Sequence, residues 1–91
     1  MAYKVYTTRR FDKSLVKMRK RGFPIAIFQN VVFLLMTDGI LPPKFRPHKL
    51  SGKYSGCWEC HITPDWLLIW EQHDKELTLL LVDTGTHSDL F

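Results

Sequence analysis

Three histidines and one aspartate are of the residue types that acid–base catalysis requires: His48, His61, Asp65 and His87. An imidazole changes its protonation state near neutral pH, and a carboxylate beside it can accept or direct a proton. His48 precedes the predicted C-terminal strands, His61 lies in the first of them, and His87 follows the last, so their side chains could converge. We expect His73, in a charged turn, to be exposed. For any lone histidine, a structural role is the alternative.

The segment CWECHITPDW, residues 57–66, is expected to present part of this chemistry on a β-hairpin. Side chains alternate along a strand, so Glu59 and His61 would share an accessible face. The proline at position 64 cannot donate to a sheet ladder, so the turn falls there and Asp65 lies at its tip. The opposite face of the strand, predicted to join the core, holds Trp58, Cys60 and Ile62.

The same segment matches C-x-x-C-H, the attachment pattern of c-type haem, through Cys57, Cys60 and His61. We reject this interpretation because the N-terminus lacks a signal peptide and the two cysteines of a strand would face opposite ways. That geometry also disfavours a thioredoxin-type pair. A zinc site would need two further ligands, and although His48 and His61 are conceivable, there is no second C-x-x-C. We therefore expect free thiols, no metal and no cofactor.

Composition predicts a single folded domain over residues 1–91, because 45% of the residues are hydrophobic and 24% are charged. No apolar run is as long as a membrane span, and the N-terminus has no apolar signal segment. We expect a cytoplasmic protein without a membrane partner.

Hydrophobic patterning predicts an α+β fold with the order β-α-α-β-β-β(β), in which two antiparallel helices precede an antiparallel meander. The proline-rich segment 40–47 connects the two parts. The predicted elements are a strand at Tyr3–Thr8, helices over residues 10–22 and 24–38, a short strand within His48–Lys53, strands at Cys57–Thr63, Trp66–Gln72 and Leu77–Asp83, and a helical turn at His87–Phe91.

Basic residues are concentrated in the first part of the chain. Residues 1–53 contain 12 lysines and arginines and two acids, whereas residues 54–91 contain one lysine and seven acids. Such a basic half favours a polyanion or an acidic protein as partner, and a solvated helix face is the alternative.

Two segments resemble the YafQ branch of the RelE-like toxins of bacterial toxin–antitoxin systems: HKLSGKYSGCWECHITPDWLLIW, residues 48–70, and TGTHSDLF, residues 84–91. In element order the resemblance covers the whole chain. It implies a RelE-like fold and a metal-independent endoribonuclease that cleaves messenger RNA in the ribosomal A site. It also implies a cognate antitoxin, with operator DNA bound only through the toxin–antitoxin complex.

The resemblance also assigns roles to the acid–base residues. The functional residues of the branch fall on His48, His61, Asp65 and His87. His87 would be the general acid, Asp65 or His61 the general base, and His48 would position or stabilise the phosphate. 

Binding roles follow by the same resemblance. Trp66 and Phe91 match the branch and would stack on or enclose a base. The basic first helix would contact ribosomal RNA phosphates. Its residues assigned to this contact are Lys13, Lys17, Lys20 and Arg21.

Asp83 departs from the family pattern, which usually has an arginine before Thr-Gly-Thr-His. A carboxylate facing the site would repel phosphate, so the missing cation would have to come from Arg46, Lys49 or Lys53. Alternation predicts that Asp83 shares a face with Leu77, Leu79 and Leu81. Two alternatives remain open: an inactive relative that acts through antitoxin and operator binding, and a ParE-like gyrase inhibitor. The histidines count against the second.

Overall fold

A computed structural model describes residues 2–91 as five strands and three α-helices. The bounds of the longer elements differ from the predicted ones by at most two residues, and the predicted α+β order is confirmed. The elements are β1 (Lys4–Thr7), α1 (Arg9–Lys20), α2 (Ile25–Asp38), β2 (His48–Lys49), β3 (Trp58–Thr63), β4 (Trp66–His73), β5 (Thr78–Gly85) and α3 (His87–Leu90), with single 3₁₀ turns at Pro43–Phe45 and Gly52–Tyr54.

The five strands form one sheet in the order β1-β5-β4-β3-β2. Strands β2 to β5 are an antiparallel meander, as predicted. The prediction of an antiparallel sheet was wrong for β1, which pairs with β5 in parallel, Lys4 opposite Thr78 and Thr7 opposite Leu81. Hydrophobic alternation is the same in both pairings, so it carries no information about strand direction.

Helix α1 begins directly after β1, at the point where β1 stops pairing with β5. The Thr8 hydroxyl accepts a hydrogen bond from the Phe11 backbone N–H at 2.9 Å and donates one to the Val82 carbonyl at 2.7 Å. It therefore caps the helix and anchors it to the sheet. Phe11 and Met18, which are seven residues apart and so lie on one face of the helix, are buried.

The main core lies between the helices and one face of the sheet. Phe28, Val31 and Leu35 of α2 are buried. The core face of the sheet contributes Cys60, Ile62, Trp66, Leu68, Trp70, Leu79 and Leu81. A smaller cluster on the opposite face joins Leu90 of α3 to Cys57, Leu67 and Ile69. The middle of the sheet is thus covered on both faces, which fits the nearly continuous apolar sequence of β4.

None of the helices within residues 2–91 is long and apolar enough to cross a membrane.

Candidate active site

A buried carboxylate and an exposed imidazole pair across β2 and β3. His48 lies directly opposite Glu59 in the strand register, and the distance from His48 Nε2 to Glu59 Oε1 is 3.0 Å. The other ring nitrogen, Nδ1, is 2.9 Å from the Arg46 carbonyl oxygen. Both ring nitrogens therefore face acceptors, which only the doubly protonated imidazolium can satisfy with two donated hydrogen bonds. These contacts fix the orientation of the His48 ring.

His61 lies beside this pair on the same face of β3. Its ring centroid is 6.4 Å from that of His48. Two buried polar atoms here have no hydrogen-bond partner among the described residues, Glu59 Oε2 and His61 Nδ1. Unsatisfied buried polar atoms are costly, and in native proteins they are few and often have a structural or catalytic reason.

Glu59 is a site residue that sequence reasoning did not select, since Asp65 was chosen as the carboxylate. Glu59 is only 5% exposed, and it is held against His48 rather than left in solvent. The alternation of β3 already placed Glu59 on the face of His61. The missing information was the register with β2, which brings His48 onto the same carboxylate.

The strand register also brings the C-terminal histidine to the same end of the sheet. His61 pairs with Leu67 of β4, and Leu67 pairs with Gly85 of β5. Two strand spacings of nearly 5 Å put Gly85 about 10 Å from His61, and His87 follows two residues later. Helix α3 packs through Leu90 against Leu67, on the face that carries His61. His48, Glu59, His61 and His87 thus lie at one end of one face.

His87 and Phe91 form an exposed aromatic edge of this site. The His87 ring centroid is 5.1 Å from that of Phe91, and the Phe91 ring meets Tyr54 edge-on at 5.7 Å. Phe91 is 59% exposed, although it contacts both rings. An aromatic ring held in this way can stack on a nucleobase.

Asp65 and Trp66 lie in very different surroundings despite being neighbours. Asp65 is exposed in the turn between β3 and β4, as predicted. Trp66 is 0% exposed, and its indole N–H donates to the Thr84 hydroxyl at 2.7 Å. The assignment of Trp66 to base stacking was therefore wrong, because no face of the indole is accessible.

Asp83 is directed toward α1 and is 4% exposed. One carboxylate oxygen accepts hydrogen bonds from the Ser14 hydroxyl at 2.7 Å and the Thr84 backbone N–H at 2.8 Å. The other is 3.1 Å from Arg10 Nε. The face predicted to be shared by Asp83, Leu77, Leu79 and Leu81 is not confirmed. Leu79 and Leu81 pack toward the helices, but the register shifts between Ile69 and Trp70, so Asp83 lies opposite Ile69, a residue of the cluster on the other face. Leu77 has a left-handed backbone and lies outside β5.

Of the three candidate phosphate-binding cations, Arg46 and Lys53 flank the face that carries the His48–Glu59 pair, whereas Lys49 lies over Trp58 on the opposite face of the sheet. Arg46 is exposed, adopts a left-handed backbone (φ 51°), and offers its carbonyl to His48. Lys49 lies over the Trp58 ring and Lys53 over the Tyr54 ring, with ammonium-to-centroid distances of 5.6 and 5.2 Å. A cleft of about 470 Å³ runs from His61 past Arg46 to the start of α2.

The basic residues of α1 line a groove of about 290 Å³ between α1 and α3. Lys13 and Lys17 are exposed along it, and Lys20 is exposed on the same helix. Arg21 differs from the lysines because its guanidinium contacts Asp89 of α3 at 2.8 Å.

The two cysteines lie on opposite faces of the sheet, as predicted, and both are free thiols. Burial raises the pKa of Cys60 to about 12 and also raises that of Cys57. Both thiols are therefore protonated at neutral pH and poor nucleophiles. Within residues 2–91, no group of three or more His, Cys, Asp or Glu side chains is arranged to hold a metal ion.

Comparison with known proteins identifies the family. The family model for the bacterial toxin of type II toxin–antitoxin systems, YafQ, matches residues 3–91. The mRNA interferase toxin YafQ of Escherichia coli K12 is 32% identical over 82 residues, covering 89% of this chain and 87% of that protein.

Solved structures agree with the sequence match. YafQ from E. coli BL21(DE3) superposes with a TM-score of 0.90 at 27% identity, covering 98% of both chains. A metal-bound toxin from Helicobacter pylori superposes with a TM-score of 0.88 at 40% identity over the full length of both chains. The YafQ chain of the E. coli DinJ–YafQ complex gives 0.88 at 28% identity, covering 98% of both chains. These matches confirm the predicted RelE-like fold, and the chain belongs to the YafQ family of toxins of bacterial type II toxin–antitoxin systems.

Proposed function

We propose that the protein is a ribosome-dependent endoribonuclease that cleaves messenger RNA in the A site and so inhibits translation. The observation that carries the proposal is the placement of His48, Glu59, His61 and His87 at one end of one sheet face. Its relatives are named mRNA interferases. We further propose that cleavage needs no metal ion, because the 2′-hydroxyl of the RNA can serve as the nucleophile.

The proposed reaction needs one base, one acid and a stabilised phosphorane. The base removes the 2′-hydroxyl proton, the oxygen attacks phosphorus, and the bond to the 5′-oxygen breaks. His87 donates the proton that the 5′-oxygen takes up. The products are a 2′,3′-cyclic phosphate and a 5′-hydroxyl. The base is His61 or Asp65, and His61 is favoured because its ring lies beside the His48–Glu59 pair, with its centroid 6.4 Å from that of His48.

Charge on the phosphorane is stabilised by cations that replace the usual arginine. His48 is the first candidate, since the Glu59 carboxylate and the Arg46 carbonyl are both acceptors that suit an imidazolium. Arg46 and Lys53 are exposed near it and can contact flanking phosphates, whereas Lys49 lies over Trp58 on the other face of the sheet and is less suited to this role. Asp83 is paired with Arg10, so its charge does not oppose the phosphate.

Base stacking is assigned to the C-terminal aromatic edge. Phe91 is exposed and is supported by Tyr54 and His87, so a base can stack on its free face. This arrangement would set the nucleotide beside the proposed acid.

The proposed partners are the small ribosomal subunit with its message, and an antitoxin. E. coli YafQ has been crystallised as a DinJ–YafQ complex, and we propose a cognate antitoxin for this chain too. Operator DNA would be bound only through that complex. The proposed site of action is the cytoplasm.

Expression without an antitoxin should arrest growth and give transcripts cut in frame, only where they are translated. Primer extension on a defined message, with and without a blocked start codon, measures this directly. A His87→Ala chain expressed to the same level is the control. Cutting of naked RNA at the same sites would refute ribosome dependence, and unimpaired growth at confirmed expression would favour an inactive relative.

The lysines of α1 supply a second expected result. Replacing Lys13, Lys17 and Lys20 together by alanine should weaken ribosome binding and lower the slope of log affinity against log salt by about two to three, because each phosphate contact contributes almost one. Each change should alter the free energy of unfolding by less than about 0.5 kcal/mol, since exposed charges contribute little.

Lys75, exposed in the turn between β4 and β5, gives the matched control, because Lys75→Ala removes the same charge elsewhere. Salt-dependent ribosome binding and urea denaturation are measured side by side. Unchanged ribosome affinity together with a collapse in stability would show that the α1 lysines are structural.

A further inference from the structure

Helix α3, which carries His87, is too short to hold itself in place. It spans only His87–Leu90, and an isolated helix of four residues has no stability of its own in water. One apolar side chain, Leu90, anchors it to the sheet. The position of the proposed acid must therefore depend on contacts that α3 makes with the rest of the chain.

Asp89 organises α3 from within. Its Oδ2 accepts a hydrogen bond from the Thr86 backbone N–H at 2.8 Å, and its own N–H donates to the Thr86 hydroxyl at 3.2 Å. This reciprocal capping box fixes the turn that starts at His87. Gly85 permits the close approach, since a Cβ at that position would lie 2.8 Å from the Asp89 Cβ.

The same carboxylate connects α3 to the first helix. Asp89 Oδ2 lies 2.8 Å from Arg21 Nη1, which joins residues 68 positions apart in the chain. The Arg21 guanidinium is itself held, with its carbon 5.3 Å from the Phe23 ring centroid and Nη1 3.5 Å from the Met18 sulfur. Phe23 packs edge-on against the buried Trp66 at 5.6 Å. These contacts restrict the Arg21 guanidinium independently of its contact with Asp89.

The Thr86 backbone N–H and the Arg21 guanidinium hold the pKa of Asp89 below its usual range. The carboxylate is consequently ionised at neutral pH, as an ion pair requires.

We propose that Arg21 and Asp89 form a latch that holds α3, and with it His87 and Phe91, in the position that cleavage requires. Both are positioning residues, since they act through α3. This inference rests on the proposed function, and it gives Arg21 a role other than the ribosomal RNA contact that the sequence suggested. The two roles predict opposite effects of removing the Asp89 charge. The latch predicts slower cleavage, whereas an RNA contact predicts tighter ribosome binding, because Arg21 would then be free to bind phosphate.

The test is a double-mutant cycle of Arg21→Ala and Asp89→Asn. Its readout is the single-turnover rate of cleavage at saturating concentrations of programmed ribosomes. Asp89→Asn keeps an acceptor for Thr86 but removes the charge. We expect each single variant to lower the rate about three- to tenfold, and the double variant to lower it no further, since both remove one interaction. Arg21→Lys, which keeps one charged donor, should retain most of the rate.

Arg19→Ala is the matched control, because Arg19 is an exposed arginine of the same helix with no ion pair recorded within residues 2–91. It should leave the rate at saturation unchanged. The latch is overturned if Arg21→Ala only weakens ribosome affinity while Asp89→Asn strengthens it, or if the rate at saturation is unchanged in both.

Hydrogen exchange separates failure of the latch from failure of the proposed function. The amides of Leu90 and Phe91 donate within α3 to Thr86 and His87. Both should exchange about three- to tenfold faster in either latch variant than in the parent. Unaltered exchange would overturn the latch even in an active toxin. If the parent does not cleave on ribosomes, the proposed function fails, and exchange still decides whether Arg21 and Asp89 hold α3.

Discussion

His87→Ala should lower single-turnover cleavage on programmed ribosomes by about 100- to 10,000-fold, the range typical of losing a general acid or base. His87 is exposed at the start of α3, so the substitution removes no buried contact, and the free energy of unfolding should change little. The rate is measured by rapid quench on a ribosome-bound message.

His73→Ala is the matched control, because His73 is an exposed histidine at the end of β4, away from the site. It should cleave at the parent rate. A message with a better leaving group at the scissile position should recover part of the rate lost in His87→Ala, since protonation of the leaving oxygen is then less important. Equal rates with and without His87 would remove it from the mechanism.

Asp83→Arg, which introduces the arginine that the family resemblance leads us to expect, should destabilise the fold by roughly 2–4 kcal/mol and give no gain in cleavage. The structure places position 83 against Arg10 and Ser14, so an arginine would put a cation beside Arg10 and leave the Thr84 backbone N–H without its acceptor. Losing one partner of a buried charged group carries a cost of this order. Urea denaturation gives the free energy of unfolding.

Asp83→Asn provides the comparison for this position. An asparagine oxygen can still accept from Ser14 and Thr84, and only the contact to the mostly exposed Arg10 is weakened, so the loss should be about 1 kcal/mol or less. If the Asp83→Arg variant instead cleaves faster than the parent at unchanged stability, the side chain at position 83 contacts the scissile phosphate. The contacts of Asp83 with α1 would then not be the main role of this position.

The order and type of the elements were predictable because each carries its own local signal. The stripe that contains Phe11 and Met18 has helical spacing, β3 alternates, and Gly39 ends α2 in a left-handed conformation. The parallel pairing of β1 has no such local signal, because it depends on which sheet edge is free once the meander has formed.

The candidate site was predictable as far as residue types allow. His48, His61 and His87 stand out as types, but the partner of His48 depends on the register of β2 against β3, which places Glu59 opposite it. Trp66 illustrates the converse error. A tryptophan next to functional residues suits a base-stacking role, yet its indole N–H has a buried acceptor on a strand 18 residues away. That contact is a property of the tertiary fold.

The parallel strand β1 has a consequence for how the chain matures. Its partner β5 lies more than seventy residues later, and Thr8 hydrogen-bonds to Val82 across a separation of 74 positions. Contacts between chain ends are slow to form, because a long loop must close first. During synthesis, β1 and α1 therefore emerge without their sheet partner, and the anchor of α1 can form only after β5 has left the ribosome. A domain built this way completes its sheet only after β5 has been synthesised, so any shorter product that stops before β5 lacks both the parallel partner of β1 and the anchor of α1.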